Sequence, residues 1–122
     1  MINGLAFDAA ISGGCFDVIQ PDLCKWGGIS GVLPVAQKIM KAGKRYCPHY
    51  LGGGIGLAAS AHLLAAVGGD GLLEIDSNDN PLRGDLFAPT ITQGQITLSD
   101  APGLGVADPF AALLTKAEGA SR

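Results

Sequence analysis

Apolar and polar positions along the chain alternate in period, and the alternation divides it into short elements. Asn3 to Ile11 carries Leu5, Ala9 and Ile11 at helical spacing, and Gly13-Gly14 follows as a stop. Cys15 to Ile19 is a short apolar run of strand type that ends in the charged stretch Gln20 to Gly28. From Ile29 to Ala42, Val32, Val35 and Ile39 recur on one helical face beside Leu33, Ala36 and Met40, with Lys38 and Lys41 opposite. Ser30 is placed as its N-cap, Pro34 in its first turn, and Gly43 as its end.

Arg45 to Cys47 predicts a second strand running into Pro48-His49. The loop Tyr50 to Gly54 leads to a third helix, Ile55 to Val67, apolar on every side and therefore expected to be buried or packed on two faces. Gly71 to Ile75 predicts a third strand. The order α-β-α-β-α-β, at roughly 30 residues per β-to-β step, predicts βαβ units and a parallel sheet. After it, Ser77 to Arg83 reads as a polar turn. Thr90–Thr92 and Gln95–Leu98 flank Gln93-Gly94 as a β-hairpin, and Asp108 or Pro109 opens a last short helix to about Lys116.

Composition narrows the class. Hydrophobic residues make up 48% and charged residues 16% of 122, which places the chain among globular domains rather than disordered ones. A net charge of −3 without a basic stripe argues against nucleic acid as partner. No apolar run reaches membrane-span length, and no secretory leader is expected at Met1. Cys15, Cys24 and Cys47 lack metal-ligand spacing and read as buried free thiols of a cytoplasmic protein. Three βα steps are too few to close a barrel of about 250 residues.

Candidate chemistry lies at the strand ends. Asp22 follows the first strand, His49 the second, and Glu74 closes the third. In a parallel sheet these ends share one rim, where such folds bind ligands. A histidine with a carboxylate to orient it is a common acid–base pair, and Lys25 would add positive charge near a developing anion. Alone, Asp22 after Pro21 reads equally as a turn cap. His62, in mid-helix, and Trp26 read as structural. The run Gly52-Gly53-Gly54-Ile55-Gly56 fits a phosphate loop poorly, since no lysine follows it. A loop that lets a substrate approach the backbone is the better reading.

Taken together, the motifs resemble a known family. Gln20-Pro21-Asp22-Leu23-Cys24-Lys25-Trp26-Gly27-Gly28-Ile29-Ser30-Gly31 is similar to the sixth barrel strand of the mandelate racemase/muconate lactonizing branch of the enolase superfamily. Pro48-His49 with Ala61-His62-Leu63-Leu64-Ala65-Ala66 resembles its seventh strand and helix. Leu73-Glu74 with Asn80-Pro81-Leu82-Arg83 resembles the eighth strand and the return to the capping domain, and Ile96 to Gly105 resembles the C-terminal signature.

The resemblance implies an α/β fold: about strands six to eight of a (β/α)7β TIM-like barrel, with a C-terminal hairpin of the capping domain. Residues 1–83 would be partial barrel and 84–122 the return to the capping domain. It implies abstraction of the proton α to a carboxylate of a hydroxy acid or sugar acid, as in dehydratases, racemases and cycloisomerases. His49 would be the base or acid, Asp22 its dyad partner, and Glu74 the hydrogen-bond partner of the substrate carboxylate. Lys25 and Tyr50 would line the substrate site. The family's Mg²⁺ ligands come from strands three to five, which have no counterpart here. No metal is expected on this chain alone, and it would begin just after the fifth-strand ligand. Unpaired parallel edges are then expected to favour a homo-oligomer or a complementary N-terminal chain. The alternative reading is an inactive remnant or an oligomerising interaction module.

Overall fold

The structure is a computed structural model that describes residues 4–106 together with 108, 111 and 114. Helix α1 spans Gly4–Ser12 and leads to strand β1, Val18–Ile19. Helix α2, Gly28–Lys41, returns to β2, Arg45–Tyr46, and α3, Gly54–Val67, follows. A single helical turn, α4, covers Pro81–Gly84, and β3, Ile91–Thr92, pairs with β4, Gln95–Ile96.

β1 and β2 pair in parallel, with Val18 opposite Arg45 and Ile19 opposite Tyr46. Cys47 N–H donates to the Ile19 carbonyl (3.3 Å) and Arg45 N–H to the Asp17 carbonyl (2.9 Å), so the ladder runs past the strand ends. The crossover helix α2 lays Val32, Val35, Ala36 and Ile39 on the sheet, where they meet Ile19, Tyr46, Phe7 of α1, and Ala59 and Leu63 of α3. Val32 and Ile39 are fully buried, and each such side chain contributes about 1.5–3 kcal/mol of transfer free energy. Helix α3 is buried round most of its circumference over Leu57–Ala61, as its largely apolar sequence predicts.

Two adjacent glycines set the entry to α2. Gly27 (φ 73°) and Gly28 (φ 62°) both occupy the left-handed region that side chains disfavour. The helix therefore starts three residues earlier than the Ser30 cap predicts, and Ser30 lies inside it. Gly27 occupies the N-cap position without a side-chain cap. Pro34 consequently sits within the helix, where its missing N–H leaves the exposed Ser30 carbonyl to water.

The predicted third strand does not form a ladder. Residues 71–75 run extended beside the chain that leaves β2, and their contacts advance in step with it. A Cβ on Gly71 would overlap the Tyr46 carbonyl oxygen. Leu72 N–H donates to Cys47 Sγ (3.3 Å), and the Glu74 side chain meets His49 and Tyr50. The direction is that of a parallel neighbour, but the Leu72 donor goes to a thiol rather than to a carbonyl.

The hairpin forms as predicted, in shorter form. Gln93 (φ 52°) and Gly94 (φ 75°) supply the two left-handed residues of a type I′ turn. The polar turn contains α4, opened by Asn80 and Pro81. Of the last predicted helix, Ala111 and Leu114 are helical and Asp108 Oδ1 accepts from Ala111 N–H (3.4 Å); its other residues after Asp108 lie outside the described residues, as does Asn3. All three cysteines are free. Only Cys47 is buried, because Cys15 and Cys24 fall in exposed turns outside the α-helical core.

Candidate active site

The turn after β1 buries Pro21, Asp22 and Leu23 and exposes Cys24 and Lys25. Asp22 is 8% exposed. Its Oδ1 accepts from Cys24 N–H (2.8 Å) and Lys25 N–H (3.2 Å), and its carbonyl accepts from Trp26 N–H (3.0 Å). Oδ2 lies 3.3 Å from Lys25 Nζ. This is the turn-capping arrangement that Asp favours after proline. The Cys24 thiol is pushed above its ordinary range by partial burial and then by the Asp22 charge.

His49 follows buried Pro48 at the end of β2 and is half-buried. Its Nδ1 lies 2.6 Å from Glu74 Oε2, and the same oxygen accepts Tyr50 N–H at 2.9 Å. The Tyr50 ring is buried and its hydroxyl donates to the Gly53 carbonyl (2.7 Å). A Cβ at Gly52 would come within 2.5 Å of that hydroxyl, and one at Gly56 would collide with it. The glycine-rich loop thus makes room for the chain's own Tyr50 rather than for a substrate at the backbone. Burial is the leading reason that the phenol is raised above its ordinary range.

Of the predicted site residues, the structure joins His49 to Glu74. It places Asp22, Lys25 and His49 on one cavity of about 180 Å³. No described hydrogen bond joins Asp22 to His49. Tyr50 contributes its amide to Glu74, while its hydroxyl is occupied within the loop. Gln20 and the Phe7–Trp26 pair, with ring centroids 4.9 Å apart, complete the cavity wall. Trp26 is a packing residue, as its sequence context suggests. Phe7 is a contribution from α1 that no motif signals. His62 donates from Nε2 to the Leu104 carbonyl (3.2 Å), tying α3 to the turn after the hairpin, in line with its structural reading.

The cavity is smaller than the 300–1,000 Å³ usual for ligand sites, so these residues form one wall of a site rather than a closed chamber. A larger cavity of about 720 Å³ lies between α3, residues 71–75 and the hairpin. It is lined by groups such as Leu64, Leu72, Ile75 and Ile96 and by no titratable side chain, so it offers no acid–base chemistry. Among the described residues no group of three or more His, Cys, Asp or Glu is placed to hold a metal ion. Asp22 is engaged with its own turn and Lys25, and Glu74 with His49 and Tyr50. These residues do not fit the oxygen-rich octahedral environment of Mg²⁺.

The rim is that of a half-open α/β fold, and comparison with known proteins gives the family. Residues 4–108 match the family described as Enolase C-terminal domain-like, and the chain belongs to it. It is similar in structure to a mandelate racemase/muconate lactonizing enzyme from Bordetella bronchiseptica RB50. The TM-score is 0.87 and the identity 56%, over 93% of this chain and 33% of that one. It is 34% identical to D-galactarolactone cycloisomerase of Agrobacterium fabrum over 80% of this chain, and 33% identical to arabinonate dehydratase of Saccharolobus solfataricus over 73%. The chain spans 28% and 24% of the length of those two relatives. The fold is that of the C-terminal, TIM-barrel-like domain of this superfamily, and the two curated relatives are a sugar-acid lactone cycloisomerase and a sugar-acid dehydratase by name.

Proposed function

We propose that this chain provides the proton-transfer rim of a dehydratase, racemase or cycloisomerase acting on a sugar acid or related hydroxy acid. The observation that supports the reading most is the position of His49. It is half-buried, held at Nδ1 by Glu74, and shares its cavity with Asp22 and Lys25. A positioned imidazole is suited to take a proton from the carbon next to a carboxylate and to return one. Lys25 Nζ, exposed at the mouth of the cavity, is suited to attract the substrate's anionic end. Asp22 keeps a second carboxylate on the same wall, and in a complete enzyme Glu74 would also face the substrate carboxylate. Mg²⁺, where the complete enzyme uses it, would be held by residues outside this chain.

The second part of the proposal concerns partners. Val18 (41% exposed) and Leu72 (68%) stand on the two outer sides of the short parallel unit. Open apolar edges of this kind favour association, either of identical copies or with a chain that supplies the remaining strands. Residues 1–83 would form the barrel part and 84–122 the return to a capping domain. Free thiols suit the reducing cytoplasm, and among the described residues no helix is long and apolar enough to cross a membrane.

The test is turnover of a panel of sugar acids with Mg²⁺ in the buffer, for the chain alone and for the chain assembled with the rest of a related barrel. The expected result is no turnover alone, turnover in the assembly, and a loss of about 10²–10⁴-fold on His49→Ala. An inactive assembly, or turnover indifferent to His49→Ala, contradicts the enzymatic part and favours an inactive interaction module. A monodisperse monomer in light scattering contradicts the association part.

A further inference from the structure

We propose that Arg45 and Asp70 are positioning residues whose ion pair sets the register of residues 71–75 along β2, and with it which carboxylate arrives at the rim beside His49. Three side-chain contacts join the two segments. Arg45 Nε and Nη2 donate to Asp70 Oδ2 at 3.0 and 2.5 Å. Leu72 N–H donates to Cys47 Sγ at 3.3 Å, and Glu74 Oε2 lies 2.6 Å from His49 Nδ1. In each contact the two residues are 25 apart in sequence. Each contact is two residues further along both segments than the last, the period at which an extended chain returns to one face. Tyr46, between the first two rows, turns the other way and is fully buried against the helices.

The same face can be kept in another register by a step of two residues, a slide of about 7 Å. A step one way would draw Gly68, the cap of α3, opposite Arg45 and unwind the helix end. A step the other way only lengthens the connection through Gly68 and Gly69, both left-handed (φ 76° and 86°). It would set Leu72 against Arg45, Glu74 against Cys47 and Asp76 against His49. The rim would then carry a shorter carboxylate, and Glu74 would lie below it. Two features of the chain oppose this step. Gly71 lies where a Cβ would overlap the Tyr46 carbonyl oxygen, and the step would bring Leu73 there. Arg45 would exchange its two-point contact with Asp70 for an apolar neighbour.

The Leu72 contact discriminates weakly, because sulfur is a poor acceptor. Gly71 therefore supplies the steric selection and the ion pair the attractive one. The pair is exposed and screened, so it adds little to global stability. Its effect is a choice between two arrangements of one segment, where a small difference is enough.

The value of Glu74 at the rim rests on the proton-transfer reading of the site, but the register is measurable without substrate. NMR of the full chain at pH 7 reads it through proton–proton contacts between residues 70–76 and 45–49 and through hydrogen exchange of the Leu72 amide. The wild-type chain is expected to show Leu72 beside Cys47 and Glu74 beside His49. Raising the salt to 1 M, where the screening length falls to about 3 Å, is expected to speed Leu72 exchange by about 2–5-fold relative to the amides of α2. Asp70→Arg sets two cations together. It is expected to weaken both contacts and to speed the exchange by about tenfold. Adding Arg45→Asp to it restores the contacts and the slow exchange. Leu72 exchange indifferent to salt, contacts unchanged in Asp70→Arg, or a reversed pair no better than Asp70→Arg alone overturns the proposal. The salt dependence of the wild-type chain decides the matter even where a variant does not fold. Turnover of His49→Ala in the assembled enzyme tests the proton-transfer reading separately.

Discussion

Two carboxylates stand at the rim of this fold, and they are used in opposite ways. Asp22 is 8% exposed, and the described hydrogen-bond and ion-pair partners of its carboxylate all lie within three residues of it. Glu74 is 35% exposed and its partners, His49 and Tyr50, lie on another segment. The difference follows from what surrounds each in sequence. Asp22 follows a proline and precedes two free backbone donors, and an aspartate side chain is short enough to reach them. Glu74 sits on an extended segment, and its longer side chain spans the gap to His49 and Tyr50. One carboxylate of the rim is thus captured by its own turn, and the other reaches a side chain and an amide on a separate segment.

The largest expected effect breaks the Glu74 side of this comparison at its base. Gly71→Ala places a methyl group on the Tyr46 carbonyl and near Leu64. It should cost about 3 kcal/mol in urea denaturation, at the upper end of overpacking effects. It should also separate Glu74 from His49. Unchanged stability in Gly71→Ala would show that residues 71–75 do not lie against β2. Next comes the Asp22 side. Asp22→Ala removes the acceptor of two N–H groups and should cost about 1–2 kcal/mol, whereas Asp22→Asn should retain most of it. Equal losses in the two variants would point to the charge rather than the turn.

A smaller effect concerns the strand that carries His49. The Tyr46 hydroxyl is fully buried without a hydrogen-bond partner among the described residues, and burial drives its titration far above the ordinary tyrosine range. Tyr46→Phe should therefore be neutral or stabilising by up to about 1 kcal/mol in thermal unfolding, leaving the His49–Glu74 contact intact. The smallest effect is electrostatic. Hydrogen bonding to Arg45 holds the Asp70 carboxyl below its ordinary value, against a weaker opposing effect of desolvation. Its contribution to stability is present above the unfolded value of about 3.9 and is lost as pH falls through the lower folded value. Asp70→Asn should leave the midpoint at pH 7 nearly unchanged and flatten only the acid limb below about pH 4. A clear loss at pH 7 would contradict an exposed, screened pair.

Much of this was legible in the residues. The periods of α2 and α3, the Gln93-Gly94 turn and the two-strand parallel unit follow from spacing and turn chemistry, because local rules decide them. The sequence also marks the strand ends that bear Asp22, His49 and Glu74. What it does not carry is which side chains meet. The ladder expected at Gly71–Ile75 yields to the Cys47 thiol, which takes the Leu72 donor. Ser30 loses the cap position because Gly27-Gly28 tolerates a left-handed entry that starts the helix sooner. The glycines after Tyr50 suggest an open loop, yet their missing side chains are filled by the Tyr50 ring. Each of these outcomes depends on a contact between segments, and periodicity along one segment does not encode it.

A double-mutant cycle tests the central claim most directly, with stability measured near pH 6 for His49→Ala combined with Glu74→Ala and, separately, with Asp22→Ala. The account predicts a coupling of about 0.5–1 kcal/mol between His49 and Glu74 and a coupling between His49 and Asp22 too small to resolve. A larger coupling to Asp22 than to Glu74 would contradict it.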